Sequence, residues 1–229
     1  MNRRRIIPIV EGHGEEKAVP CLLRRWLRHR RLHQFDVPDL AINAKGCGKL
    51  KAGYDRSRHL GIEHYIEAAL RNRPDAILVV LDADDECRNR LKGNGLGTEL
   101  LMRARKINPN IPLAVVVADP EYEAWFLASL TSIRRAGLLP DQSPRIKENS
   151  VCLHPRGCKG AIADLLCCPY EETVHQLALT QGLTFSSQVQ HRSYSYGKLL
   201  RDLERLAHEV LGKAAVRTGS RTSVSRKDE

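Results

Sequence analysis

Four short runs of apolar residues, 6–10, 40–44, 77–81 and 113–118, are nearly unbroken rather than alternating. A strand with one face in water alternates apolar and polar side chains. An unbroken run suits a parallel strand covered on both faces. Helical patterns lie between the runs. Ala18, Leu22, Leu23, Trp26 and Leu27 form one apolar stripe, with Arg24, Arg25 and Arg28 on the opposite face. Further stripes are Ile62, Tyr65, Ile66, Ala69 and Leu70, then Leu96, Leu100, Leu101 and Ala104. Strands alternating with amphipathic helices predict an α/β fold: an open, mostly parallel sheet flanked by helices. Two prolines qualify this. Pro8 has no ladder donor, which predicts an edge or irregular position for the first strand. Pro20 is expected in the first turn of its helix or at a kink.

The 229 residues suffice for one large domain, and 42% hydrophobic content supports a real core. With aromatics at 5%, that core must be mainly aliphatic. Residues 1–136 read as the α/β domain, and residues 137–158 as a polar, turn-rich loop. Residues 159–211 read as a helical extension packing on the same domain, with helices at 159–167, 170–180 and 197–211. The small, basic stretch 212–229 is expected to be disordered.

A net charge of +10 favours polyanionic partners such as DNA, RNA or phosphorylated molecules. No apolar run is long enough to cross a membrane. The basic start is followed by an apolar stretch that ends at Glu11, too short for the core of a signal peptide. Seven cysteines, an odd number at irregular spacing, imply no disulfide framework. Together these predict a cytoplasmic chain.

The chemistry is expected at the carboxyl ends of the strands, where open α/β sheets place their ligand sites. Three of those ends are acidic. The first run stops at Glu11, followed by Gly12-His13-Gly14-Glu15-Glu16. The third stops at Asp82-Ala83-Asp84-Asp85-Glu86, and the fourth at Asp119-Pro120-Glu121-Tyr122-Glu123. Parallel strands bring these ends to one edge. Carboxylates gathered there repel one another unless protonated or bridged by a cation. Hard oxygen donors suit Mg²⁺ or Mn²⁺. Each string also has a structural reading. Glu15 and Glu16 favour a helix N-terminus, a lone aspartate after a strand often caps a helix, and Glu123 could face solvent. Basic residues near the same edge, Lys45, Lys49 and Lys51 and then Arg88, Arg90 and Lys92, could hold a polyanion or simply be solvated. Gly12 and His13 could contact substrate.

The strings Ile9-Val10-Glu11-Gly12-His13-Gly14-Glu15, Leu81-Asp82-Ala83-Asp84-Asp85 and Glu121-Tyr122-Glu123-Ala124-Trp125-Phe126-Leu127 resemble the Toprim-like domain-of-unknown-function family numbered 4276. Relatives of that family include the Toprim part of OLD-type nucleases. Residues 170–176 and 192–196 are similar to the end of that family. The resemblance implies a Toprim-like sheet and a magnesium-dependent nuclease or phosphoryl-transfer site. It implies that Glu11 acts as general acid–base or metal ligand and that Asp82 and Asp84 hold the metal. Glu121 and Glu123 resemble an additional acidic position of the OLD-like branch. The resemblance further implies an ATPase partner in anti-phage defence.

Other motifs carry less. Gly46-Cys47-Gly48-Lys49 lacks the full spacing of a nucleotide-binding loop. Cys152, His154, Cys158, Cys167 and Cys168 match no standard zinc spacing. Arg192, Tyr194, Tyr196 and Lys198 could stack on single-stranded nucleic acid, although packing of a terminal helix is the expected use. Two rival functions stand beside the nuclease. A nucleotide-sugar-dependent glycosyltransferase would use the aspartate string but leave Glu11 unexplained. A non-catalytic module would bind nucleic acid or a partner protein.

Overall fold

The computed structural model describes residues 3–83, 95–145 and 157–222, with side chains as far as 213. Five parallel strands form one sheet. They are β1 (Arg4–Val10), β2 (Phe35–Asp36), β3 (Ile42–Asn43), β4 (Ala76–Asp82) and β5 (Leu113–Ala118). The order is β2-β1-β4-β5, and β3 also pairs with β1. The apolar runs are continuous because alternate residues feed two separate cores. Ile6, Val10, Leu78, Val80, Ala114 and Val116 face one side. Ile7, Ile9, Ile77, Val79, Leu113 and Val115 face the other.

The second face is covered by α2 (Cys47–Lys51), α3 (Ile62–Leu70) and α4 (Leu96–Ile107). The first is covered by α1 (Glu15–His29), α5 (Glu123–Ala128), α6 (Leu130–Arg135) and α7 (Cys158–Leu166). A π-helical turn, Glu172–Gln176, then leads into α8 (Leu177–Thr180), α9 (Ser187–Arg192) and α10 (Tyr194–Thr222). The expected α/β class therefore holds, and the later helices pack on the same core as the sheet.

Three local expectations are corrected. First, β1 is internal, not an edge, and Pro8 sits opposite Leu78 of β4. The N–H of Arg4 points to the β2 side, where it donates to the Gln34 carbonyl. By the two-residue period of a strand, the nitrogen of Pro8 points to that side too. There β2 pairs only with residues 4–5 and β3 only with 9–10. The missing donor thus falls in the gap between two short strands. Second, the run 40–44 yields only a two-residue strand, and Leu40 is exposed. Third, the helix α10 continues past Lys213 to Thr222.

Pro20 lies in the body of α1. It cannot donate to the carbonyl four residues back, that of Glu16. The N–H of Ala41 donates to that carbonyl instead, at 2.8 Å. This bond fastens the start of β3 to the helix beneath the sheet edge that carries Glu11. At the opposite edge, α10 covers β5. Lys198 Nζ donates to the Val115 carbonyl (2.8 Å) and Arg205 Nη2 to that of Leu113 (3.1 Å). These outward carbonyls would otherwise be an open template for another strand. Lys198 and the buried Tyr196 thus serve packing, while Tyr194 stays exposed beside Arg201.

Candidate metal centre

Asp82 is the last residue of β4, Glu123 the first of α5, and Glu121 lies in the link before it. The carboxylates of these three residues bring oxygen atoms within 4.8 Å of one another. The link is held in place from both sides. The Ala83 N–H lies 2.8 Å from the Ala118 carbonyl and 3.2 Å from that of Pro120, within range to donate to both. The Tyr122 N–H donates to Asp82 Oδ1 (2.9 Å). The ring of Tyr122 is buried against Trp125 and Phe126. Its hydroxyl lies 3.1 Å from Thr180 Oγ1.

Glu11 follows β1 directly. Its Oε2 accepts the Asp82 N–H at 2.9 Å, so it borders the cluster through the backbone of a member. Glu15 opens α1 as expected, but it does not face solvent. It is 7% exposed, and Gln176 Nε2 donates to its Oε1 at 2.8 Å. Gly14 permits this approach, because a Cβ there would lie 1.7 Å from Gln176 Oε1.

Packing so many carboxylates together shifts their protonation. The carboxyl of Asp82 is pushed well above its usual range by burial, and then by the negative charges of Glu123, Glu15 and Glu11. Glu123 is 1% exposed, and burial raises it to about 7. Two neighbours oppose that rise: the Tyr170 hydroxyl, which donates to Glu123 Oε1 at 2.7 Å, and the charge of Lys159. The second oxygen of Glu123, Oε2, is buried without a hydrogen-bond partner.

Lys159 supplies positive charge at the cluster. Its ammonium lies 2.5 Å from Glu172 and 3.7 Å from Glu121, and its backbone N–H donates to Glu121 Oε1 at 3.2 Å. Burial works against its charge, but Glu172, Glu123 and Glu121 outweigh it and hold the ammonium protonated above its ordinary range. Lys159 carried no signal in the sequence reading. Tyr170, Glu172 and Gln176 did, since all fall in the late segment similar to the family's end.

Of the other candidates, the described ones do not join the cluster. His13 is exposed, with Asn43 Nδ2 donating to its Nδ1 (3.1 Å) and Glu16 at 3.6 Å. Gly12 lies against the Glu15 carboxylate. Lys45 is exposed, in a left-handed turn (φ 57°) held by its N–H donating to Asn43. Lys49 is half-buried in α2. Asp84, Asp85, Glu86, Arg88, Arg90 and Lys92 lie outside the described residues, as do Cys152 and His154. Cys158 is buried, while Cys167 and Cys168 are exposed. Among the described residues, no helix is long and apolar enough to cross a membrane.

A buried cluster of hard oxygen donors, one of them orphaned, fits a divalent cation. The chain is similar to the C-terminal region of the Burkholderia pseudomallei OLD protein, at 15% identity and a TM-score of 0.47, covering 92% of this chain and 100% of that one. A search of curated proteins finds no match. The family described as Domain of unknown function (DUF4276) matches residues 10–164. That is more than half of the chain, which therefore belongs to this family.

Proposed function

We propose that the chain is a divalent-metal-dependent phosphodiesterase acting on nucleic acid. The convergence of Asp82, Glu121 and Glu123, with the buried Oε2 of Glu123 lacking a hydrogen-bond partner, carries this reading. Those three residues would hold Mg²⁺ or Mn²⁺, together with Asp84 of the same aspartate string. A bound cation of this kind polarises phosphoryl oxygens and stabilises charge on a leaving oxygen.

The chain's own groups do the rest. Glu11, fixed by the Asp82 N–H, is placed to accept or return a proton at the rim of the cluster. Lys159 pairs with Glu121 and Glu172 and offers a donor to a phosphate oxygen. Tyr170 keeps one oxygen of Glu123 occupied and so directs the other toward a ligand. The net charge of +10 favours a polyanionic substrate. The Toprim-like resemblance of the acidic strings supports the same chemistry, and an ATPase partner belongs to that part of the reading.

The test incubates purified protein with plasmid, single-stranded DNA and RNA, in Mg²⁺, Mn²⁺ or EDTA. Asp82→Asn and Glu123→Gln run alongside. Metal-dependent cleavage is expected in the parent and a loss of at least about a hundredfold in each variant, the scale of a missing transition-state contact. Cleavage that persists in EDTA, or in both variants, refutes the assignment.

A further inference from the structure

We infer that a groove between α1, α6 and the loop 181–186 binds a single-stranded nucleic-acid segment flanking the metal centre; this rests on the nucleic-acid reading above. The groove has a volume of about 760 Å³, and a second cavity of about 240 Å³ extends it through shared residues Ser132, Arg135, Thr184 and Ser186. Arg28, His29 and Arg135 line the larger part and Arg192 the smaller. No carboxylate among the described residues lines either cavity. Among the described residues, exposed Arg30 and Arg58 each face a carboxylate, Glu204 and Asp55, while Arg31, Arg71 and Arg105 face none but line neither cavity. Arg28 and Arg135 are exposed and have no carboxylate partner among the described residues. Uncompensated arginines along a cleft are the electrostatic footprint of a polyanion.

The walls are built in advance. Arg25 donates to the carbonyls of Thr180 (2.7 Å) and Leu183 (2.8 Å), and its guanidinium lies over the Phe185 ring at 5.6 Å. Ser132 Oγ donates to the Gly182 carbonyl at 2.6 Å. A Cβ on Gly182 would come within 2.8 Å of Ile133, so the loop lies tight against α6. An aromatic pair, His29 and Phe185 with centroids 5.2 Å apart, stands at the groove. Cations for phosphates beside an aromatic platform for bases are the pairing that recognises unpaired strands. Duplex DNA hides its base faces.

Position links the groove to the chemistry. Thr180, whose carbonyl anchors Arg25, reaches the Tyr122 hydroxyl, and the Tyr122 N–H holds Asp82. Arg28 lies more than three turns from Glu15 along α1, about 20 Å at 1.5 Å per residue. The segment in the groove is therefore a flank of the strand, not the bond that reacts.

The experiment measures fluorescence anisotropy of a labelled 20-mer single strand with the full chain in EDTA, beside Arg28→Glu/Arg135→Glu and Glu123→Gln. Thermal melts and Mn²⁺ titration are read on all three proteins. The double variant is expected to bind at least about tenfold more weakly, with a salt slope shallower by about 1.4 for two lost phosphate contacts. Its melting temperature and Mn²⁺ affinity should stay at the parent values. Glu123→Gln should show the reverse: weak Mn²⁺ binding and parent-like strand binding. Strand binding that is unchanged in the double variant overturns the groove and leaves the nucleic-acid reading standing. No strand binding by the parent overturns both. A preference for duplex, or equal competition by polyglutamate or an abasic strand, overturns the single-strand assignment.

Discussion

The backbone N–H of Tyr122 donates to Asp82 Oδ1 at 2.9 Å, and Tyr122 is the residue between Glu121 and Glu123. That hydrogen bond ties the Glu121–Glu123 segment directly to the third carboxylate. Asparagine at position 82 keeps an acceptor for that N–H, while alanine leaves it unpaired. Asp82→Asn should retain the parent's metal-free stability, since it also removes one of the crowded charges. Asp82→Ala should lose about 1–3 kcal/mol, the cost of an orphaned buried donor. Both should bind Mn²⁺ at least roughly tenfold more weakly for want of an anionic ligand. Thermal melts and Mn²⁺ titrations check this, and equal melting losses in the two variants would contradict it.

Glu123 gives the metal-free chain a pH dependence of defined sign. Its carboxyl titrates near 7 in the fold, against 4.5 ordinarily. Between those values the folded state holds more protons than the unfolded one, so stability falls as pH rises. The difference is worth about 3 kcal/mol at full deprotonation, since one pKa unit is about 1.4 kcal/mol. Without metal, the chain should melt several degrees lower at pH 8 than at pH 5. Glu123→Gln should flatten this slope, and Mn²⁺ should restore stability at pH 8. A Glu123→Gln profile that parallels the parent's would show that the slope comes from other groups.

The strand ends were legible because they depend on local rules. β1, β4 and β5 are apolar on both faces, and the residues that stop them are the acidic ones. That placement predicts that Asp82, Glu121 and Glu123 converge; choosing them, with Glu11, from the other acidic residues of the same strings took the family resemblance as well. β2 was not legible, because a two-residue strand is defined by its neighbour and not by its own pattern. Pro8 was misjudged because the edge rule turns on which side its nitrogen faces. Lys159 and the burial of Glu15 depend on how α7 and the π-helical turn dock. No spacing within 1–136 encodes that docking.

Two glycines should respond to alanine with opposite signs. At Gly14 a Cβ would meet Gln176 Oε1 at 1.7 Å and Glu172 Cβ at 2.9 Å. Gln176 is fully buried and bonded to Glu15, so neither side can yield cheaply. Gly14→Ala should cost about 1–3 kcal/mol through overpacking. Gly160, inside α7, has nothing within 4 Å of a built Cβ. Gly160→Ala should stabilise the chain by about 0.4–1 kcal/mol, because alanine restricts the unfolded chain and suits a helix. Urea unfolding of both variants measures the pair, and a stabilising Gly14→Ala would mean that Gln176 does not pack as described.

Tyr170 should set the pH at which the metal centre becomes competent. Its hydroxyl donates to Glu123 Oε1 at 2.7 Å and favours the ionised carboxylate. A cation needs that ionised form, so the proton on Glu123 competes with metal. Tyr170→Phe removes the donor and keeps the ring, and Glu123 should then hold its proton to still higher pH. The pH dependence of Mn²⁺ binding should move upward. At pH 6.5 the affinity should fall roughly tenfold, the scale of one hydrogen bond to a charged group. At pH 9 the parent and Tyr170→Phe should bind nearly alike, because Glu123 is ionised in both. A loss of the same size at both pH values would mean that Tyr170 supports the fold of the site and leaves the protonation of Glu123 untouched.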